Sequence, residues 1–132
     1  MAELNPITIH ESVRFSSISG GNPPKIRRHS THCADAFVFP SVQEGWGLVL
    51  LEAIASGLPV LTSNQPPFTE FLAPDQAILI DPQDIDEITQ GMLQIINPKI
   101  SQELVTASAE IPQQFSWGKS AQIQLNYYSD RK

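Results

Sequence analysis

Two carboxylates, Glu44 and Glu52, bracket the stretch Glu44-Gly45-Trp46-Gly47-Leu48-Val49-Leu50-Leu51-Glu52, which joins a Gly-x-Gly loop to an apolar run. Glycines at 45 and 47 permit backbone geometry and a close approach that a β-carbon would obstruct. The first amides of the helix after such a loop have no intrahelical acceptor and face outward with the positive end of its dipole. An anion is the natural occupant of such a place, and a phosphate group suits it best. A tight turn with no ligand accounts for Gly-x-Gly equally well.

Glu52 narrows the choice, because it is the only charged residue between Gly45 and Gln65 and sits on a helix that is apolar on nearly every face. An all-round apolar helix is normally buried. A carboxylate there loses hydration at a cost on the order of several kcal/mol unless donors surround it. Ribose hydroxyls would serve, and so would a buried Lys or Arg. Glu52 falls about 7–8 Å along the helix axis from Gly47 at roughly 1.5 Å per residue, so the carboxylates flank the anion site, a layout that a nucleotide sugar shares with its nucleoside, diphosphate and sugar. Both must point at hydroxyls, since a carboxylate aimed at a diphosphate repels it.

The elements that would position these groups alternate between strand and helix. Ala36-Phe37-Val38-Phe39, closed by Pro40-Ser41, is the short apolar run of a buried parallel strand. The loop Val42 to Gly47 leads into a helix over Leu48 to Ser56 that Gly57 ends. Pro59 to Thr62 is a second strand, Pro67 to Leu72 a short helix, and Ala77 to Ile80 a third strand ended by Asp81-Pro82. Asp84, with Glu87 three residues on, has the form of a capping box, and Ile85, Ile88, Met92 and Ile95 mark one helical face. Asn97-Pro98 stops that helix, another covers Pro98 to Glu110, and a last one begins at Ser116 with Trp117, Ala121, Leu125 and Tyr128 on a stripe expected to pack in the core. A short helix from Lys25 to Ala34 behind Pro24 is the remaining expectation. The fold class is therefore α/β, with about three parallel strands, flanking helices and ligands bound at the carboxyl ends of the strands.

At 132 residues the chain suffices for one domain. Its net charge of −6 is uneven: residues 1–32 hold two acids and four bases, which leaves −8 for the rest. An acidic body argues against nucleic acid as a partner. The basic cluster Lys25-Ile26-Arg27-Arg28 reads as a solvated turn, with contact to a phosphate as the alternative. No apolar run approaches a membrane span, Met1 to His10 lacks the pattern of a secretion signal, and the single Cys33 offers neither a disulfide nor a zinc motif. A cytoplasmic location is expected. His10, His29 and His32 have no ligand-like spacing, so no metal is expected either.

Glu44 and Glu52 enclose seven residues in a pattern that resembles the Glu-x7-Glu motif of retaining glycosyltransferases called group 1 or family four. Ala34 to Ser41 resembles the strand before that motif, Glu52 to Val60 the segment after it, Ile78 to Pro82 the last strand, and Phe115-Ser116-Trp117 the start of the terminal helix. The resemblance covers Cys33 to Tyr128. It implies the second half of a Rossmann-like donor domain of the GT-B architecture in residues 33–132, preceded by a poorly ordered or atypical segment, 1–32. It further implies Glu44 on the hydroxyls of the transferred sugar, with the catalytic role, and Glu52 on the nucleotide ribose. Backbone amides of Trp46, Gly47 and Leu48, freed by Gly45 and Gly47, would meet the diphosphate. The ligand is then a nucleotide diphosphate sugar used as substrate, with no cofactor or metal.

Residues 1–32 show no resemblance to the family's acceptor domain or to its earlier strands with their Arg and Lys. Catalysis by this chain alone is not expected. A separate polypeptide supplying the missing part is one implied partner, and self-association through the edge of strand 36–39 is another. A noncatalytic nucleotide-sugar-binding module and a functionless remnant are the alternatives, whereas a glycosidase is disfavoured because Glu52 sits inside a helix.

Overall fold

The computed structural model describes residues 15–16 and 34–129. The strands β1 (Phe15–Ser16), β2 (Ala36–Phe39), β3 (Val60–Ser63) and β4 (Ile78–Ile80) form one parallel sheet in the order β1-β2-β3-β4. Register is fixed by Phe37↔Val60 and Phe39↔Thr62 between β2 and β3, and by Leu61↔Ile78 and Ser63↔Ile80 between β3 and β4. These are the three strands expected from their apolar runs, within one or two residues at each end. The fourth is new: Phe15 and Ser16 pair with Ala36 and Phe37, so part of the β2 edge is covered from the amino-terminal segment. The basic cluster at 25–28, the three histidines and Cys33 lie outside the described residues, as does the expected Lys25 to Ala34 helix except for Ala34, which is not helical.

Helices α1 (Leu48–Ala55) and α4 (Ile111–Gln114) lie on one face of the sheet, α2 (Ile85–Ile95) and α3 (Pro98–Ser108) on the other, and α5 (Trp117–Ser129) comes after α4. The first core packs Leu50, Ala53 and Ile54 of α1 with Phe37, Phe68 and Ile111, and the second packs Ala36, Leu61 and Ile80 with Ile95 and Leu104. All four residues of β3 are buried, as a central parallel strand requires. A 3-10 turn, Phe68–Glu70, stands in place of the expected short helix. Gly91 of α2 lets that helix rest directly on the sheet, for a β-carbon there would come within 2.5 Å of Leu61 Cδ1.

Two burial expectations are corrected. In α1 only Leu50, Leu51, Ala53 and Ile54 are buried, while Leu48, Glu52 and Ala55 are exposed. The sheet face covers one flank of this helix, and the other borders an open groove. Three residues of the α5 stripe are also outside the core: Trp117 is 88% and Leu125 61% exposed, and Ala121 is exposed with them, while the Tyr128 side chain is not among the described ones. Nothing among the described residues lies close enough to bury Trp117, Ala121 or Leu125. Ile85, at the first turn of α2, likewise stands out at 78% exposure, whereas Ile95 of the same stripe is fully buried.

Candidate functional site

Because the strands are parallel, the segments after β2, β3 and β4 all emerge at one end of the sheet. The loop after β2, residues 40–47, carries Glu44, Gly45, Trp46 and Gly47 and delivers the chain into α1. Gly47 is the N-cap of α1 in the left-handed region, with φ 75° and ψ 32°, and it contributes no side-chain cap. A β-carbon at this position would lie 2.7 Å from Phe68 Cε1, so both conformation and contact require glycine. Gly45 is different: its φ is not positive, and a β-carbon there would meet nothing within 4 Å. Special backbone geometry is thus required at 47 and not at 45.

The first turn of α1 contains no acidic residue, and Leu48 at its start is 57% exposed. The outward amides at this helix start therefore face neither a capping side chain nor a carboxylate of that turn. Trp46 is held by an aromatic cluster, stacked on Phe71 at 6.1 Å and edge-on to Phe115 at 5.2 Å, with Phe71 and Phe115 themselves 5.8 Å apart. These contacts tie the loop to the turn after β3 and to the end of α4.

Glu52 projects from the exposed flank of α1 into a groove of about 680 Å³ lined also by Trp46, Leu48, Ala55, Phe115 and Trp117. Among the described residues no hydrogen bond or ion pair engages its carboxylate. The expected burial of this group is therefore overturned. Glu44 is exposed, outside that groove, and its Oε1 accepts a hydrogen bond from the Gly45 amide at 2.9 Å. Trp46, Leu48 and Glu52 thus share one concave surface, while Glu44 stands on the loop beside it.

Several residues that shape the site do not stand out in the sequence. Thr62 Oγ1 donates to Phe39 O at 2.9 Å, Ser63 Oγ to Ser41 O at 2.6 Å, and Gln65 Nε2 to Ser41 O at 3.1 Å and Val42 O at 2.7 Å. The available signal is the polar run Thr62 to Gln65, which begins within the end of a strand. Among the described residues no group of three His, Cys, Asp or Glu is arranged to hold a metal ion, and no helix is long and apolar enough to cross a membrane.

The profile of the family described as glycosyl transferases group 1 matches residues 12–110. That match begins well before Cys33, where the motif resemblance starts, and includes the β1 segment; it ends before α5. The chain is 36% identical over 96 residues to the O-antigen chain mannosyltransferase B of Escherichia coli, covering 72% of this chain and 25% of that protein. Among solved structures, sucrose-phosphate synthase from Thermosynechococcus elongatus superimposes with a TM-score of 0.68 at 28% identity, over 76% of this chain and 26% of that one. A pneumococcal O-GlcNAc transferase in complex with UDP and GlcNAc shares the fold, with a TM-score of 0.62 at 22% identity, over 76% of this chain and 22% of that one. The chain spans about a quarter of the length of these relatives. Its parallel sheet with flanking helices is a Rossmann-like part of the GT-B architecture, and the chain belongs to the glycosyl transferases of group 1.

Proposed function

We propose that these residues bind the donor of a retaining, family-four glycosyltransferase, a nucleoside diphosphate sugar. The diphosphate meets the backbone amides of Trp46, Gly47 and Leu48, Glu52 accepts from the ribose hydroxyls, and Glu44 accepts from the hydroxyls of the transferred sugar. The observation that carries this reading is the start of α1: a left-handed Gly47 with no side-chain cap and no acid in the first turn, at the carboxyl ends of parallel strands. The exposed Glu52 in a groove with Trp46 supports it, since an accessible carboxylate beside an aromatic surface suits a nucleoside. Calorimetric titration with uridine, guanosine and adenosine diphosphates and their sugars, on the wild type and on Glu44→Gln and Glu52→Gln, tests the assignment. Glu52→Gln should weaken every ligand by roughly tenfold, the loss of one charged hydrogen bond, while Glu44→Gln should weaken only the sugars. Equal affinities across the three proteins would sink it.

The described part of the site supports donor binding better than catalysis, because it brings no cationic side chain to the loop or to α1. Among the described residues the only Lys or Arg are Lys99 and Lys119, neither of them in the loop or in α1. Transfer needs the leaving diphosphate neutralised and an acceptor hydroxyl held against the anomeric carbon. Each missing preorganised donor typically costs on the order of a hundredfold in rate. Nucleoside diphosphate release from a panel of nucleotide sugars by the purified 132-residue chain is expected to stay at background. Turnover that disappears in Glu44→Ala would overturn that expectation.

A further inference from the structure

Backbone pairing between β2 and β3 ends at Phe39↔Thr62, and Pro40, which has no N–H, prevents it from continuing. Beyond that point the two segments are joined by side chains. Thr62 Oγ1 reaches the Phe39 carbonyl, Ser63 Oγ the Ser41 carbonyl, and the Gln65 amide the carbonyls of both Ser41 and Val42. Thr62 and Ser63 are fully buried, and Gln65 is half-buried. Apart from the aromatic contacts of Trp46 at its far end, the loop has little else to hold it. Among the described residues, no backbone–backbone hydrogen bond involves residues 42–46, and the Gln43 carbonyl is met by the Ser41 hydroxyl at 3.0 Å.

We propose that Gln65, seconded by Ser63, is a positioning residue for Glu44: its amide spans two successive carbonyls and thereby fixes the loop from which the sugar-binding carboxylate projects. Gln65 touches neither donor nor acceptor and acts only through the loop. Two donors from one terminal amide to adjacent carbonyls define direction as well as distance, which a single hydroxyl cannot do. Holding Glu44 in advance removes the ordering cost that the donor would otherwise meet on binding. This inference rests on the assignment of Glu44 to the sugar, and its test separates the two.

Gln65→Met keeps length and bulk but removes both donors, and Gln65→Glu keeps the shape while setting a carboxylate against two carbonyl oxygens. In amide NMR spectra of the full chain, both variants are expected to shift Gln43, Glu44 and Gly45 and lower their heteronuclear NOE, with Val60 to Thr62 unchanged. In titrations, the gain in affinity of a nucleoside diphosphate's glucose or mannose ester over the nucleoside diphosphate itself should fall roughly tenfold, for two lost hydrogen bonds acting indirectly. Affinity for the nucleoside diphosphate alone should change less than about twofold, since the amides it meets are held by the Trp46 aromatic contacts and by α1 rather than by Gln65. Loop signals identical to wild type in Gln65→Met would overturn the proposal, and so would a uniform shift of loop and core amides with loss of thermal stability. If the wild type binds no nucleotide, the donor-site reading fails, while the loop spectra still decide whether Gln65 orders Glu44's segment.

Discussion

Two helices of this chain start at the carboxyl ends of parallel strands, and they treat their exposed amides in opposite ways. At α2 the chain satisfies itself: the Asp84 carboxylate accepts from the amides of Asp86 and Glu87 at 2.9 and 3.1 Å, and Asp86 and Glu87 add negative charge to the first turn. At α1 it does not, since Gly47 offers no side chain and the first turn has no acid. Position at the end of a parallel strand is common to both, so position does not distinguish a ligand site from a closed helix start. What distinguishes them is whether the chain supplies its own negative charge.

The largest expected effect is that of Gly47→Ala, which sets a β-carbon in a left-handed residue and against Phe68. Strain and overpacking together should lower stability by about 2–4 kcal/mol, read as a fall in the urea midpoint. An unchanged midpoint would mean that α1 can begin without glycine. Leu48→Asp makes α1 resemble α2. Stability should rise by roughly 0.3–1 kcal/mol, while affinity for a nucleoside diphosphate falls by about tenfold or more as the carboxylate repels it. The opposite signs carry the information, and a variant that binds the diphosphate as well as the wild type would remove α1 from the site. Asp84→Ala is the converse at α2, with an expected loss of about 1 kcal/mol and no change in nucleotide affinity. Nucleotide binding that weakens in this variant would show that the α2 start also belongs to the site.

The same contrast explains how much of the molecule is legible in its residues. Asp84 is legible as a cap because one side chain and its near neighbours decide it, although the reciprocal half differs: Glu87 Oε2 accepts from the Asp81 amide at 2.7 Å, and the Asp84 amide instead donates to Asp81 O. Strands 36–39, 60–63 and 78–80 are legible because apolar runs between proline, glycine and aspartate leave few other conformations. Burial of Glu52 is wrongly expected because composition reports how apolar a helix is, whereas exposure depends on what lies beside it. Trp117 and Leu125 mislead for the same reason. Phe15–Ser16 gives no periodicity in two residues. The straps from Ser63 and Gln65, and the meeting of Trp46 with Phe71 and Phe115, join residues far apart in sequence and require the fold before they can be seen.

Gly91 has a consequence of its own on the other side of the sheet. A β-carbon there would lie 2.5 Å from Leu61 Cδ1 and within 3.3 Å of the Ile80 and Ile78 Cγ2 methyls. A β-carbon at position 91 and the Leu61 Cδ1 methyl cannot both stay where they are, so any larger residue at 91 requires the Leu61 side chain to move or shrink and the two isoleucines to give way. Leu61 precedes Thr62 and Ser63, whose hydroxyls hold the loop above the sheet. A close contact on the far side of the sheet thus fixes the strand from which the loop's hydroxyl straps extend.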